Sequence, residues 1–154
     1  FHSSPRGNLE QTIDYSSLFL PLPEHKWRDW LNNRVAEIVD TKPESKLGVL
    51  HGDLVPENLL FDKGNWYLLD WEYSHIGDVR WDLASIAVEF ALTIEQYNDM
   101  CQQYCLLRGW NVDDFLSETE NWLVIYLRIC LGWSKTNNQP QDKYWQYIEN
   151  LDPT

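Results

Sequence analysis

Basic residues are scarce in this chain: twelve Lys and Arg stand against twenty-four Asp and Glu in 154 residues, a formal net charge of −12. Nucleic-acid binding rests on cationic contacts to phosphate, so this balance argues against a nucleic-acid partner and equally against an anionic membrane surface. Long apolar runs are also missing. No stretch reaches the length needed to span a bilayer, and the first residues, with Ser3, Ser4, Pro5 and Gly7, show no basic-then-apolar signal pattern. The expectation is a cytoplasmic protein with no membrane partner. Cysteine is limited to an odd three, which gives no disulfide framework. Cys101 and Cys105 fall on one helix face with no His nearby to complete a zinc pattern, so both read as buried thiols. The seven glycines never form a Gly-x-Gly-x-x-Gly run, and there is neither an internal repeat nor a low-complexity linker.

What is present points to one core. The chain is 44% apolar with nine Trp and eight Tyr and 23% charged, which suits a single compact domain over 1–154 and excludes disorder. Trp27, Trp30, Leu31, Val35 and Ile38 recur at helical spacing, placing a helix that packs beneath the loop after the first strand. Further helical stripes follow: Leu83 to Ala91, Tyr97 to Cys105 ending at Gly109, Trp122 to Trp133 after Asp113 and Asp114, and Tyr144 to Leu151. Strand signals are confined to the middle. Leu47 to Leu50 is a short apolar run, and Leu59 to Phe61 and Trp66 to Leu69 flank Asp62-Lys63-Gly64-Asn65, whose Gly and Asn tolerate the positive φ of a tight hairpin.

Chemistry concentrates there. His51-Gly52-Asp53-Leu54-Val55-Pro56-Glu57-Asn58 follows the first strand, and Asp70 comes twelve residues after Asn58. Phosphoryl transfer to a hydroxyl uses an Asp as proton acceptor, an Asn five residues on for one Mg2+, and a later Asp for the metal that bridges the nucleotide phosphates. Asp53, Asn58 and Asp70 match that order. Pairing Phe61 with Trp66 sets Asn58 opposite Leu69 and brings Asn58 and Asp70 to the open end of the hairpin, about 5 Å apart. His51 is expected to order the loop by hydrogen bonding and not to carry protons. Glu72, two residues past Asp70, reads either as extra charge at the metal or against a cationic acceptor, or as a plain exposed Glu. The acidic surface and the many aromatics favour a cationic acceptor, because amines bind over aromatic faces beside carboxylates.

The stretch from Val49 to Glu89, with His51-Gly52-Asp53, Pro56-Glu57-Asn58, Leu69-Asp70-Trp71-Glu72-Tyr73 and Gly77-Asp78 to Trp81-Asp82-Leu83-Ala84, resembles the aminoglycoside phosphotransferase and choline kinase superfamily. Its Asp-Trp-Glu-Tyr is most similar to the choline, ethanolamine and thiamine kinase branch. The resemblance implies an α+β fold, the mostly helical C-terminal lobe of a protein-kinase-like architecture with a small β-hairpin carrying the metal ligands. It implies Asp53 as catalytic base, Asn58 and Asp70 as Mg2+ ligands, and ATP as co-substrate. It also places Asp82 where the family has an Asp that braces the catalytic loop, although Asp82 could simply cap the following helix. Trp133, Trp122 and Tyr126 would then line an acceptor pocket, or else belong to a helical core stripe.

A small-molecule kinase also needs a nucleotide lobe, with a flexible loop over the phosphates and a Lys paired to a helix Glu. No Lys lies in an apolar strand ahead of His51, and the opening Phe1-His2 resembles the family's segment just past the hinge between lobes. The chain therefore reads as the C-terminal lobe of a phosphotransferase whose N-terminal lobe is its missing partner, inactive without it. Choline, ethanolamine, thiamine, an aminoglycoside and a sugar all remain open as acceptor. The alternative is a non-catalytic binding module derived from such a kinase.

Overall fold

The computed structural model describes residues 18–41 and 44–153. Helix α1 spans Arg28–Thr41 and strand β1 Leu47–Leu50; a 3-10 turn at Pro56–Asn58 leads into β2, Leu59–Asp62, which turns back as β3, Asn65–Leu68. Strand β4, His75–Asp78, is followed by α2 (Arg80–Glu89), α3 (Ile94–Arg108), α4 (Val112–Leu116), α5 (Thr119–Thr136) and α6 (Asp142–Asn150). This is the helix-rich α+β arrangement expected, with its strands gathered in the first half.

The strands form two antiparallel pairs. β1 lies against β4 with Leu47 opposite Asp78 and Leu50 opposite His75, and β2 lies against β3 with Phe61 opposite Trp66. The register expected for the hairpin is the register found, and the Leu69 N–H donates to the Asn58 carbonyl at 2.8 Å, carrying the ladder one step further. The turn differs in detail. Lys63 and Gly64 take the positive φ, at 47° and 81°, while Asn65 already belongs to β3. Two left-handed residues in a two-residue loop match the right-handed twist of the flanking strands.

Helix α5 organises the rest. Leu123, Val124, Ile125, Leu127 and Leu131 are all buried along it, leaving little polar face, as befits a helix with neighbours on several sides. It packs against α1, α2 and α6. Helix α3 starts on a reciprocal cap in which Thr93 accepts the Gln96 N–H and Gln96 accepts the Thr93 N–H, and it ends at Gly109 in the left-handed region. Cys101 and Cys105 are buried on its inner face. No helix among the described residues is long and apolar enough to cross a membrane.

Among the described residues an ion pair lies inside the core. Arg80 donates from Nε to Asp78 Oδ1 at 2.8 Å and from Nη2 to Asp78 Oδ2 at 2.6 Å, with both side chains almost wholly buried. Asp78 also accepts the Lys46 N–H, Arg80 also donates to the Glu44 carbonyl, and the guanidinium lies over the rings of Phe115 and Trp122. A single bidentate contact thus ties the end of the β1–β4 pair to α2, α4 and α5.

Candidate active site

The loop after β1 is built around His51, which is 2% exposed. Its Nδ1 accepts the Asp53 N–H at 3.2 Å and its Nε2 contacts the Leu69 carbonyl at 2.7 Å. A carbonyl only accepts and an N–H only donates, so the ring is neutral with its proton on Nε2. One imidazole thereby joins the residue before Asp70 to the backbone of Asp53. Trp71 packs edge-on against the same ring, with centroids 4.9 Å apart, and its indole N–H donates to the Leu68 carbonyl.

Asp82 holds the loop from the other side. Helix α2 begins at Arg80, so Asp82 is not its N-cap. Its carboxylate turns back to accept the His51 N–H at 2.7 Å and the Gly52 N–H at 3.1 Å. Burial raises the Asp82 carboxyl above its ordinary value, while the two backbone donors pull the other way. Gly52 takes φ 85°, which swings the chain so that both N–H groups face one carboxylate.

Asn58 reaches Asp53 directly. Its Nδ2 donates to the Asp53 carbonyl at 2.9 Å and to Asp53 Oδ2 at 3.2 Å, fixing the amide orientation and turning its oxygen away from Asp53. Asp70 follows the last rung of the hairpin with φ 57°, a left-handed conformation that Asp tolerates better than most residues and that turns its side chain out of strand register. The Glu72 carboxylate, with smaller contributions from Asp53 and Asp70, holds the exposed Tyr73 phenol above its usual range. Asp53, Asp70 and Glu72 therefore share one electrostatic neighbourhood around Tyr73. Sequence reasoning gives Tyr73 no role, and only its place beside Glu72 signals one.

The remaining sequence candidates divide. Tyr126 is buried with its hydroxyl turned toward the loop: it lies 3.2 Å from Ser85 Oγ, and Ser85 in turn donates to the Leu54 carbonyl at 3.0 Å. Trp122 is not brought to this group. It is buried in the core over the Arg80 guanidinium, which accounts for its place in the helical stripe. Trp133 is half exposed on α5, with no hydrogen bond or ring contact to the loop among the described residues.

The metal question can be put to the donor set. Among the described residues no three His, Cys, Asp or Glu side chains converge as a metal-binding group. The Asp70 carboxylate and the Asn58 amide oxygen, which the sequence pattern singles out as ligands, are both hard oxygen donors. This sparse oxygen set fits Mg2+, which keeps waters and completes its shell with substrate phosphates.

A family model described as the phosphotransferase enzyme family matches residues 4–116. The chain belongs to the phosphotransferase enzyme family. Among curated members, protein LicA of Haemophilus influenzae is 40% identical over 55 residues, covering 36% of this chain and 21% of LicA. Thiamine kinase of Escherichia coli K12 is 26% identical over 143 residues, covering 86% of this chain and 48% of the kinase. Two solved structures share the fold. A choline/ethanolamine kinase family protein from Mesorhizobium loti gives a TM-score of 0.55 at 17% identity, over 89% of this chain and 53% of that one. Choline kinase LicA from Streptococcus pneumoniae gives 0.50 at 21% identity, over 91% and 53%, and LicA has also been solved in complex with AMP. This chain spans about half the length of the thiamine kinase and of these structures.

Proposed function

We propose that this chain is the acceptor- and metal-binding lobe of a small-molecule kinase that moves the γ-phosphoryl group of ATP to a hydroxyl on an amine-bearing acceptor. The observation that carries the reading is the direct bond between Asn58 and Asp53 on a loop whose backbone is tied to Leu69, next to Asp70. These bonds support a reading in which acceptor base and metal ligands lie on neighbouring, hydrogen-bonded segments. AMP bound by a LicA structure and the kinase names of the relatives support a nucleotide co-substrate.

In this reading Asp53 accepts the acceptor's hydroxyl proton as that oxygen forms its bond to the γ-phosphorus and the bond to the ADP oxygen breaks. Asn58 holds one oxygen of the Asp53 carboxylate, leaving the other for the acceptor. Asp70 and Asn58 would hold Mg2+, which supplies charge neutralisation on the phosphate oxygens. His51 and Asp82 fix the positions of Asp53 and Asp70 without touching substrate, and Glu72 and Tyr126 face the acceptor side.

The nucleotide lobe would cover the hairpin. Leu60, Phe61, Trp66 and Tyr67 are exposed on both faces of β2–β3, and Val49 of β1 is 74% exposed. Surfaces of this kind mark an interaction partner. The lobe that the relatives possess beyond the matched half is the partner this reading assigns.

The test is turnover in a polypeptide carrying this chain with its nucleotide lobe, assayed with labelled ATP against choline, ethanolamine, thiamine, an aminoglycoside and a hexose. Asp53→Asn is expected to lower kcat by about 10²–10⁴-fold with little change in acceptor KM. Near-normal turnover would remove Asp53 as the base. Phosphorylation of none of the acceptors in the intact protein would favour a non-catalytic binding module.

A further inference from the structure

Behind the loop lies a second buried carboxylate that the reaction scheme leaves unused. Glu89, at the end of α2, has a side chain only 7% exposed. Oε1 accepts from the Tyr126 hydroxyl at 3.1 Å and lies 3.4 Å from the Tyr144 hydroxyl, and Oε2 receives the Lys143 ammonium at 2.5 Å. The same ammonium sits over the Tyr144 ring, 4.8 Å from its centroid. Lys143 itself is 53% exposed, reaching in from the first turn of α6.

Glu89 is the only anion of this group. Burial raises the Tyr126 and Tyr144 phenols well above their ordinary value, and burial pushes the neighbouring Cys130 thiol up to about 12, so all three stay neutral at physiological pH. A desolvated carboxylate beside aromatic faces binds an ammonium with both ion-pair and cation–π attraction. The constellation adjoins the catalytic loop: the Tyr126 hydroxyl that donates to Glu89 lies 3.2 Å from Ser85 Oγ, whose hydroxyl donates to the Leu54 carbonyl, next to Asp53.

We propose that Lys143 is a tethered internal cation seated on Glu89, and that an amine-bearing acceptor binds by displacing it, so that Lys143 sets the threshold and specificity for amines at this site. The inference rests on the kinase reading only for what the amine is used for. The physical grounds are an asymmetry of burial. The carboxylate is enclosed and keeps its need for a cation, whereas the lysine is half in water and loses little by swinging out. A tethered competitor acts at an effective concentration of order millimolar, so free amines below that level gain the site only weakly while Lys143 is present. Neutral acceptors do not compete for Glu89 and are indifferent to the lysine.

The experiment uses the chain without nucleotide, titrated with ethylammonium chloride by calorimetry, with ethanol as the neutral control. Lys143→Met and Lys143→Gln are each expected to bind ethylammonium about tenfold more tightly than the unmodified chain, and Glu89→Gln to lose saturable binding. Ethanol should bind none of them. Unchanged or weaker ethylammonium affinity in both lysine variants would overturn the proposal. So would loss of cooperative melting in both, since it would make Lys143 a required structural partner and not a displaceable one. The readout is independent of phosphoryl transfer: inactivity of the intact enzyme would refute the kinase reading and leave this titration standing, and the reverse holds equally.

Discussion

The carboxylate of Asp82 accepts the N–H groups of two consecutive residues, His51 and Gly52, from thirty-one and thirty positions away in the chain. Two backbone donors that no strand partner serves are thereby satisfied by one side chain. Asp82→Asn keeps one accepting oxygen and turns an NH2 toward the other N–H. It is expected to lose about 1–3 kcal/mol of stability at neutral pH, read by chemical denaturation. Burial raises the folded-state carboxyl above its ordinary 3.8, so the folded form holds this proton more tightly than the unfolded chain does. Its contribution to stability then falls as pH climbs from about 3.8 through the raised value. The stability gap between the native chain and Asp82→Asn should narrow over that window, and a gap that widens would contradict the burial.

His51 makes a different kind of prediction, because it is buried with both ring nitrogens committed to backbone. His51→Leu leaves the Asp53 N–H and the Leu69 carbonyl without partners, at about 1–3 kcal/mol for each group that stays dry. On the proposed kinase reading, turnover of the intact protein should fall while the shape of its pH–rate profile stays the same, since a positioning residue moves no proton. Loss of one limb of that profile would show His51 transferring protons instead.

At Gly52 two constraints coincide. The residue sits at φ 85°, and a Cβ built there would lie 2.6 Å from the Tyr73 carbonyl oxygen. Backbone cannot move aside as a side-chain tip can. Gly52→Ala is therefore expected to cost at least about 1–3 kcal/mol in thermal melts and to separate the Asp53 loop from the segment carrying Asp70 and Tyr73. A melt matching the native chain would mean that the loop relaxes freely.

Local pattern made much of this legible. The hairpin was readable because apolar runs flank Lys63-Gly64, and alternation with a two-residue turn leaves one register that pairs Phe61 with Trp66. Four of the later helices show in their stripes. Strand β4 was not readable, since His75-Ile76-Gly77-Asp78 holds a single large aliphatic and pairs through contacts with β1 that no local window contains. Helix α4, at five residues, is too short to show a period. Trp122 and Tyr126 look alike on α5, yet one stacks on Arg80 and the other bonds Ser85 and Glu89, a difference set by which helix each faces. The Glu89–Lys143 contact, spanning fifty-four positions, has no sequence signature at all.

The buried pair of Asp78 and Arg80 separates the worth of a pair from the cost of breaking it. Each charge has lost its water, and each is compensated by the other, by the Lys46 and Arg80 N–H groups, or by the Glu44 carbonyl. Replacing only the cation, as in Arg80→Met, strands the Asp78 carboxylate in the core and removes the guanidinium from the faces of Phe115 and Trp122. Such a loss costs about 3–5 kcal/mol, a large part of the stability of a domain this size. The double variant Asp78→Asn with Arg80→Met removes both charges while Asn keeps an acceptor for the Lys46 N–H, so it should be less destabilised than Arg80→Met alone. Equilibrium denaturation of the four chains closes the cycle. If the double variant were no more stable than Arg80→Met, the stranded Asp78 carboxylate would not be what the single change costs, and the β1–β4 anchor beneath the Asp53 loop would depend on packing more than on charge.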